Sequence, residues 1–155
     1  MELKIFDPAP SFSLPATMGR TISLKQFLGS KVVLYFYPKD DTPGCTKEAC
    51  HFRDGIAELN KSGAVILGIS PDDVASHEKF IKKFSLPFPL LADVNHAVAE
   101  KYGVWVEKSM YGRKYMGIER STFVIDSQGR IDRIFSKVKV ADHFAEVQAA
   151  LAEIK

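Results

Sequence analysis

The two cysteines of this chain, Cys45 and Cys50, are its clearest candidates for chemistry. Two cysteines in 155 residues are too few for the disulfide framework of a small secreted domain. In a reducing compartment such residues are more often catalytic, metal-binding or inert. Each of these functions therefore has to be weighed from the positions of the two residues.

Cys45 lies at the start of a predicted helix. If Thr42 is the N-cap, Pro43 takes the favoured first position and Cys45 the third. The unpaired amides and the positive dipole end there stabilise a thiolate, and we hypothesise that the sulfur replaces the carboxylate of a capping box. The alternative is a small buried hydrophobic residue. A reactive thiolate is favoured, because ligands bind beyond the carboxyl ends of strands in open α/β sheets.

Cys50 admits three interpretations: a structural residue, a metal ligand together with His51, or a partner that resolves an oxidised Cys45. A structural zinc site needs four ligands in paired clusters. The chain has two cysteines and four scattered histidines, so zinc is disfavoured. The residues alone leave the structural and the resolving roles open.

The elements around the cysteines follow an α/β pattern. Continuous apolar, β-rich runs predict buried strands over 31–37 and 64–70, and an apolar stripe predicts a helix over 43–60 between them. This order predicts two parallel strands with a right-handed crossover. Further along, the sequence predicts a helix over 72–84, a short strand over 88–91, a helix over 96–102, an antiparallel pair over 121–126 and 130–135, and a last helix from Asp142.

Two segments are predicted to lack regular structure. Prolines in 6–14 favour an extended N-terminal arm with at most edge pairing, before a turn at Gly19 and Arg20. Residues 104–117 are polar and punctuated by glycine, which predicts a long loop bordering the site. No repeat or linker is visible, so we predict one domain over residues 1–155. Its pattern is that of a thioredoxin-like fold, a central mixed β-sheet flanked by helices with an N-terminal extended arm.

Composition excludes several classes of protein. Hydrophobic residues make up 46% and charged residues 26% of the chain, which excludes disordered and collagen-like proteins. No apolar run approaches the ~20 residues of a membrane span, and the N-terminus lacks the apolar core of a secretory signal. The net charge of +2 is spread along the chain, which disfavours nucleic-acid binding. We therefore expect a cytoplasmic protein that binds neither membrane nor nucleic acid.

The segment around the cysteines resembles the active site of the peroxiredoxins. Pro38, Thr42 and Cys45 match the family's spacing of a proline, three residues, a threonine, two residues and a cysteine. A second cysteine at Cys50 resembles the peroxiredoxin Q subfamily, also called bacterioferritin comigratory proteins. Similar residues continue at 35–40, 70–72 and 111–123, so the resemblance extends nearly end to end.

The resemblance implies a thiol peroxidase that needs no metal or other cofactor. The Cys45 thiolate would attack the O–O bond of hydrogen peroxide or an alkyl hydroperoxide and become a sulfenic acid. Cys50 would condense with it in an atypical two-cysteine cycle, and thioredoxin or a glutaredoxin-like donor would reduce the disulfide. The subfamily resemblance and the lack of an obvious exposed apolar patch also favour a monomer.

Three further side chains gain roles through the resemblance. It implies that Arg120 is the cation beside Cys45, that Glu48 orients this arginine, and that Thr42 donates a hydrogen bond. On their own, Arg120 would be a solvated charge at a strand end and Glu48 a surface residue. The guanidinium can reach Cys45 if the strand that starts at Ser121 neighbours strand 31–37.

Two other functions stay open at this point. A thioredoxin-type disulfide oxidoreductase would separate its cysteines by two residues and place a proline before the strand at Ser121. Four residues intervene here, and all eight prolines lie at or before Pro89. A non-enzymatic thiol redox sensor could use the same cysteines, and measured peroxide turnover would separate it from an enzyme.

Overall fold

The computed structural model describes residues 2–154 and contains, within that range, nine strands and four α-helices. The strands are β1 (Ser13–Ala16), β2 (Arg20–Ser23), β3 (Lys31–Phe36), β4 (Ala64–Ser70), β5 (Leu90–Ala92), β6 (Trp105–Met110), β7 (Arg113–Ile118), β8 (Ser121–Ile125) and β9 (Ile131–Phe135). The helices are α1 (Pro43–Lys61), α2 (Val74–Phe84), α3 (Ala97–Lys101) and α4 (Val140–Glu153).

Strand β3 lies inside a seven-stranded mixed sheet of order β2-β1-β5-β4-β3-β8-β9. It pairs parallel with β4 and antiparallel with β8. Its side chains alternate between two cores, because successive residues of a strand point to opposite faces. Val33 and Tyr35 pack with residues of α1, α2 and α4, whereas Leu34 and Phe36 pack with residues of α3 and the N-terminal segment. The predicted mixed sheet flanked by helices is therefore confirmed.

Most predicted elements form, with shifts at their ends. The strands predicted at 31–37 and 64–70 and the helix predicted at 43–60 are β3, β4 and α1. Strand β5 starts two residues later than predicted, and α4 starts at Val140 instead of Asp142. These shifts are ordinary, because the ends of elements depend on hydrogen bonds that a hydrophobic pattern does not record.

Residues 104–117 do not form the predicted loop. They contribute β6 and most of β7, which make a separate two-stranded antiparallel sheet. Tyr111 and Gly112 turn the hairpin with φ angles of 53° and 78°, as tight hairpin turns require. The segment still borders the site as predicted, because β7 ends at Ile118, two residues before Arg120.

The hairpin also exposes apolar side chains, contrary to the expectation of no exposed apolar patch. Tyr111 is 99% exposed, and three neighbours are also exposed. The three neighbours are Met110, Tyr115 and Met116. The predicted monomeric state thus loses one of its two supports and stays a prediction.

The N-terminal segment is extended in part, and several of its residues pair with strands of the sheet. Strand β1 pairs antiparallel with both β2 and β5, so it lies inside the sheet and β2 forms the edge. Gly19 has a φ of 65° at the predicted turn. Within the predicted arm 6–14, Pro8 bridges Arg130 beside edge strand β9, and Ser13 and Leu14 pair with edge strand β2, so the pairing is at the edges as predicted. Ala16 of β1, beyond the predicted arm, pairs with Leu91 of β5.

Helix α1 packs closely on α4 at a glycine. A Cβ added at Gly55 would lie 2.0 Å from the ring of Phe144, so only glycine lets the ring sit there. This contact fixes the second half of α1 against the fold. Within residues 2–154, no helix has the length and apolar character needed to cross a bilayer. The single domain over 1–155 stays a prediction, and residues 1 and 155 lie outside the described range.

Candidate active site

The site forms where β3 ends and α1 begins. Thr42 is the N-cap, with extended backbone at φ −91° and ψ 155°, and Pro43 begins the helix, as the sequence predicts. The Thr42 carbonyl accepts the first helical hydrogen bond, from Thr46 N at 2.8 Å. The Thr42 hydroxyl does not cap the helix and instead donates to the Lys39 carbonyl at 2.9 Å.

Cys45 is 2% exposed and lies beside a cation. Arg120 donates from Nη2 to Cys45 Sγ at 3.2 Å, and positive charge there stabilises a thiolate. Gly44 makes room for this contact, because a Cβ at that position would lie 3.3 Å from Nη2. Within residues 2–154 no backbone amide donates to this sulfur, so a role in a capping box is not supported.

The sheet brings Arg120 to Cys45 across 75 positions of sequence. Strand β8 pairs antiparallel with β3, and Ser121 lies opposite Phe36. Residue 120 therefore lies at the end of β3 from which α1 departs. The predicted pairing of these two strands is correct, and it is what carries the guanidinium to the helix start.

Arg120 also holds Glu48, one turn further along α1. Its Nη1 donates to Glu48 Oε1 at 2.6 Å, and Glu48 is 2% exposed. Burial raises the pKa of Glu48 to about 7, and the attraction of Arg120 offsets only part of that rise. Burial alone would lower the pKa of Arg120, but Glu48 and then Cys45 raise it overall. One cation thus faces two groups that can each become anionic.

Two buried polar atoms near the site have no hydrogen-bond partner within residues 2–154: Glu48 Oε2 and the Tyr35 hydroxyl. Burial, and then the proximity of Glu48, raise the pKa of Tyr35. An unpartnered buried carboxylate oxygen is costly when charged, which favours the protonated form of Glu48. Sequence reasoning missed Tyr35, because nothing in its apolar run distinguishes it from a packing residue.

Two predicted site residues, Pro38 and Cys50, lie outside the contacts that join Cys45, Arg120 and Glu48. Pro38 is half-buried in the turn between β3 and α1. Cys50 is half-buried on α1, and both cysteines are free. Residues five apart in one intact helix have α-carbons separated by about 8 to 9 Å. The structure thus gathers Cys45, Arg120 and Glu48 in one contact network and leaves Cys50 outside it.

Comparison with known proteins identifies the family. The AhpC/TSA family model matches residues 5–134. The chain belongs to the AhpC/TSA family. Peroxiredoxin Bcp of Bacillus subtilis is 48% identical over 154 residues, covering 99% of this chain and 98% of that protein. Peroxiredoxin Bcp of Escherichia coli is 47% identical over 141 residues, covering 91% and 90%.

A solved structure agrees with these relatives. Peroxiredoxin Q of Xanthomonas campestris superposes with a TM-score of 0.89 at 43% identity, covering 93% of this chain and 92% of that one. This peroxiredoxin therefore has the thioredoxin-like fold and is a thiol-dependent peroxidase. The resemblance to the Q, or Bcp, type is confirmed.

One further polar cluster lies beside the peroxiredoxin site. Ligand-type atoms of Asp40, Asp72 and His77 lie within 4.8 Å of one another. Hydrogen bonds to Tyr37, among others, already engage these atoms, so the trio has the character of a structural network. Sequence reasoning predicted the helix over 72–84 that carries His77 but did not link this residue to Asp40.

Proposed function

We propose that this peroxiredoxin reduces hydrogen peroxide and alkyl hydroperoxides with Cys45 as the peroxidatic residue and Cys50 as the resolving residue. The contact of Arg120 Nη2 with Cys45 Sγ at 3.2 Å is the observation that carries the assignment. A cation held against a buried sulfur at a helix start suits a nucleophilic cysteine, because it stabilises the negative charge that develops on the reacting atoms in the transition state.

The first step is attack of the Cys45 thiolate on one oxygen of the peroxide. An S–O bond forms, the O–O bond breaks, and the leaving oxygen takes a proton to become water or an alcohol. The sulfur loses two electrons and becomes a sulfenic acid. Full ionisation of a free thiol gains only about 30-fold at neutral pH, whereas enzymes deliver ~10⁶-fold or more. Arg120 and the first amides of α1 are therefore the proposed donors to the peroxide oxygens, and Thr42 joins them when its hydroxyl rotates away from the Lys39 carbonyl.

The second step is condensation of Cys50 with the sulfenic acid. The Cys50 thiol displaces hydroxide from the Cys45 sulfur, so a disulfide forms and water leaves. A disulfide allows no more than about 7 Å between α-carbons, whereas an intact helix holds these residues about 8 to 9 Å apart. The first turns of α1 must therefore unwind during each cycle.

The third step is reduction of the disulfide by a dithiol donor. Peroxiredoxins use a thiol reductant, and thioredoxin or a glutaredoxin-like protein is the proposed donor here. We place the reaction in the cytoplasm, where such donors keep cysteines reduced, and assign it to a monomer. The bacterioferritin comigratory protein of Xanthomonas campestris, 42% identical with a TM-score of 0.87, is described for alkyl peroxide reduction, which supports this substrate class.

Peroxide consumption with a thioredoxin system tests the assignment. We expect Cys45→Ser to be inactive and Cys50→Ser to react once and accumulate a sulfenic acid that a sulfenate-specific reagent labels. A label that appears in Cys45→Ser and not in Cys50→Ser would reverse the two roles. A wild-type protein that peroxide oxidises, but that shows no turnover with any dithiol donor supplied, would indicate a redox sensor.

A further inference from the structure

A buried acid–base pair lies under the loop that leads into α1. His77 of α2 is 0% exposed and Asp40 is 7% exposed. His77 Nδ1 lies 2.7 Å from Asp40 Oδ2, and His77 Nε2 lies 2.9 Å from the Leu91 carbonyl of β5. The pair therefore ties the loop after β3 to α2 and to the sheet, and no step of the proposed mechanism uses it.

The hydrogen bonds fix the orientation of both side chains of this pair. Both ring nitrogens of His77 face an oxygen, so a hydrogen must lie in each contact. Asp40 also accepts from the Tyr37 hydroxyl at 2.6 Å and from the Ser76 hydroxyl at 2.8 Å. Together with His77, these donors hold the Asp40 side chain in one orientation. Removal of either member of such a buried pair destabilises the protein, because the other member is left without its hydrogen-bond partner.

The backbone beside the pair has the form of a hinge. Asp40 N donates to Asp72 Oδ2 at 2.8 Å, so both the backbone and the side chain of Asp40 are held. The next residue, Asp41, has a left-handed φ of 59°, and Thr42 then begins the helix. The chain thus changes direction at one strained residue, between an anchored position and the helix that has to unwind.

We propose that His77 is a positioning residue of the peroxidase cycle. Through Asp40 it fixes the loop 38–42, so that Thr42 and the start of α1 face the peroxide in the right geometry. It also sets the point at which unwinding of α1 stops, with Asp41 as the hinge. This inference rests on the proposed Cys45–Cys50 disulfide, because only that disulfide requires the helix to unwind.

His77 is proposed both to position the loop 38–42 and to limit the unwinding of α1. Its replacement should therefore change two rate constants in opposite directions. The side chain of His77→Gln cannot hold both Asp40 and Leu91, so the loop loosens. The reaction of Cys45 with peroxide then slows about 10- to 100-fold, because misplacement of reacting groups by about 1 Å costs rate on that scale. Formation of the disulfide from the sulfenic acid becomes faster, because the helix start is less firmly anchored.

Rapid-quench mass spectrometry measures both steps on the whole protein. The first rate constant is measured in a Cys50→Ser background and the second with both cysteines present. Tyr37→Phe removes one donor to Asp40 and keeps the ring, so it gives a smaller shift in the same directions and serves where His77→Gln fails to fold. Lys61→Ala is the control, because Lys61 is an exposed residue at the far end of α1 whose ion pair is with Glu58.

A purely structural role gives a different result. Ile131→Ala lowers stability from a fully buried site on β9, in the core that does not contain Cys45. The proposal is overturned if His77→Gln and Tyr37→Phe keep both wild-type rate constants, or if they change them only as Ile131→Ala does. Formation of the intramolecular disulfide in the wild-type protein is measured first. Its absence would overturn the proposed function, and the hinge role of Asp41 with it.

Discussion

The two ends of α1 are held in different ways. At the reactive end, Thr42 gives no side-chain cap, the first turn has no acidic residue, and Gly44 is exposed. Arg120, the residue before β8, supplies polar contacts there. At the other end, Gly55 lies directly against the ring of Phe144 on α4, and the last turns are fixed by packing. The reactive end thus depends on one charged side chain and the far end on shape.

This difference explains how one helix serves two purposes. Local opening of a protein has a low free energy where few apolar contacts hold a segment. A helix start with a glycine and without a side-chain cap has little local stability of its own. The first turns of α1 can therefore unwind for the proposed Cys45–Cys50 disulfide, while the second half keeps its place on the sheet.

The largest expected effect is a loss of amide protection confined to one half of α1. On oxidation to the Cys45–Cys50 disulfide, amides from 45 to 53 lose their helical protection, whereas amides from 56 to 61 keep theirs. Hydrogen exchange read by mass spectrometry on the reduced and oxidised protein measures this. Equal protection in both forms, with the disulfide confirmed, would refute the unwinding model.

Replacement of Arg120 by lysine tests the reactive end directly. Lysine keeps the charge but cannot donate to Cys45 and Glu48 from one planar group. We expect peroxide reduction to slow about 10²- to 10³-fold, which corresponds to about 3 to 4 kcal/mol of transition-state stabilisation. Stopped-flow kinetics measures this, and Arg133→Lys on β9 is the control at a partly exposed arginine. A wild-type rate in Arg120→Lys would reduce its role to that of a strand-end charge.

The raised pKa of Glu48 makes the free energy of unfolding depend on pH. Its folded pKa of about 7 lies above its ordinary value of 4.5, so the folded state binds the proton more tightly than the unfolded state. Its contribution to stability is complete below pH 4.5 and is lost as the pH rises through about 7. The loss amounts to about 3 kcal/mol.

Glu48→Gln removes this dependence, because the amide does not ionise. The free energy of unfolding of the variant, relative to its parent, should rise by about 3 kcal/mol between pH 4.5 and 8. Urea unfolding of both proteins in a Cys45→Ser background measures it without titration of the thiol. Parallel pH profiles of the two proteins would show that burial of Glu48 carries no such cost.

The smallest effect is expected at the far end of the helix. Gly55→Ala pushes the Phe144 ring away, and the packing loss outweighs the better helix propensity of alanine, for a net cost of about 1 kcal/mol. In a Phe144→Ala background the same change should stabilise the protein, because only the propensity gain is left. Thermal unfolding of the four proteins checks this, and the same sign in both backgrounds would contradict the shape argument.

The sequence predicts the strands and helices that bury a regular apolar pattern. Strand β3 and its neighbour β4 are continuous apolar runs, because both faces of the central sheet are covered. The helix predicted over 72–84 also forms as α2. The hairpin β6–β7 was missed because most of its residues are exposed, so no buried face imposes alternation on them.

The active site could be predicted from the sequence only in part. The start of α1 could be predicted at Thr42 because proline and N-cap preferences are local. The burial of Glu48 could not, since its partner Arg120 arrives from 72 positions away. The link between Asp40 and His77 was missed for the same reason, because 37 positions separate them and only the packing of α2 on the sheet joins them.

The pairing of β3 with β8 has a consequence for how the enzyme becomes active as it folds. Contacts across 75 positions form late, because the intervening chain must first close as a loop. A chain that has folded only as far as β5 holds Cys45 at a helix start without its guanidinium. If Cys45 is the peroxidatic residue, we therefore expect full reactivity towards peroxide to arise only with the docking of β8, because that step brings the guanidinium to the sulfur.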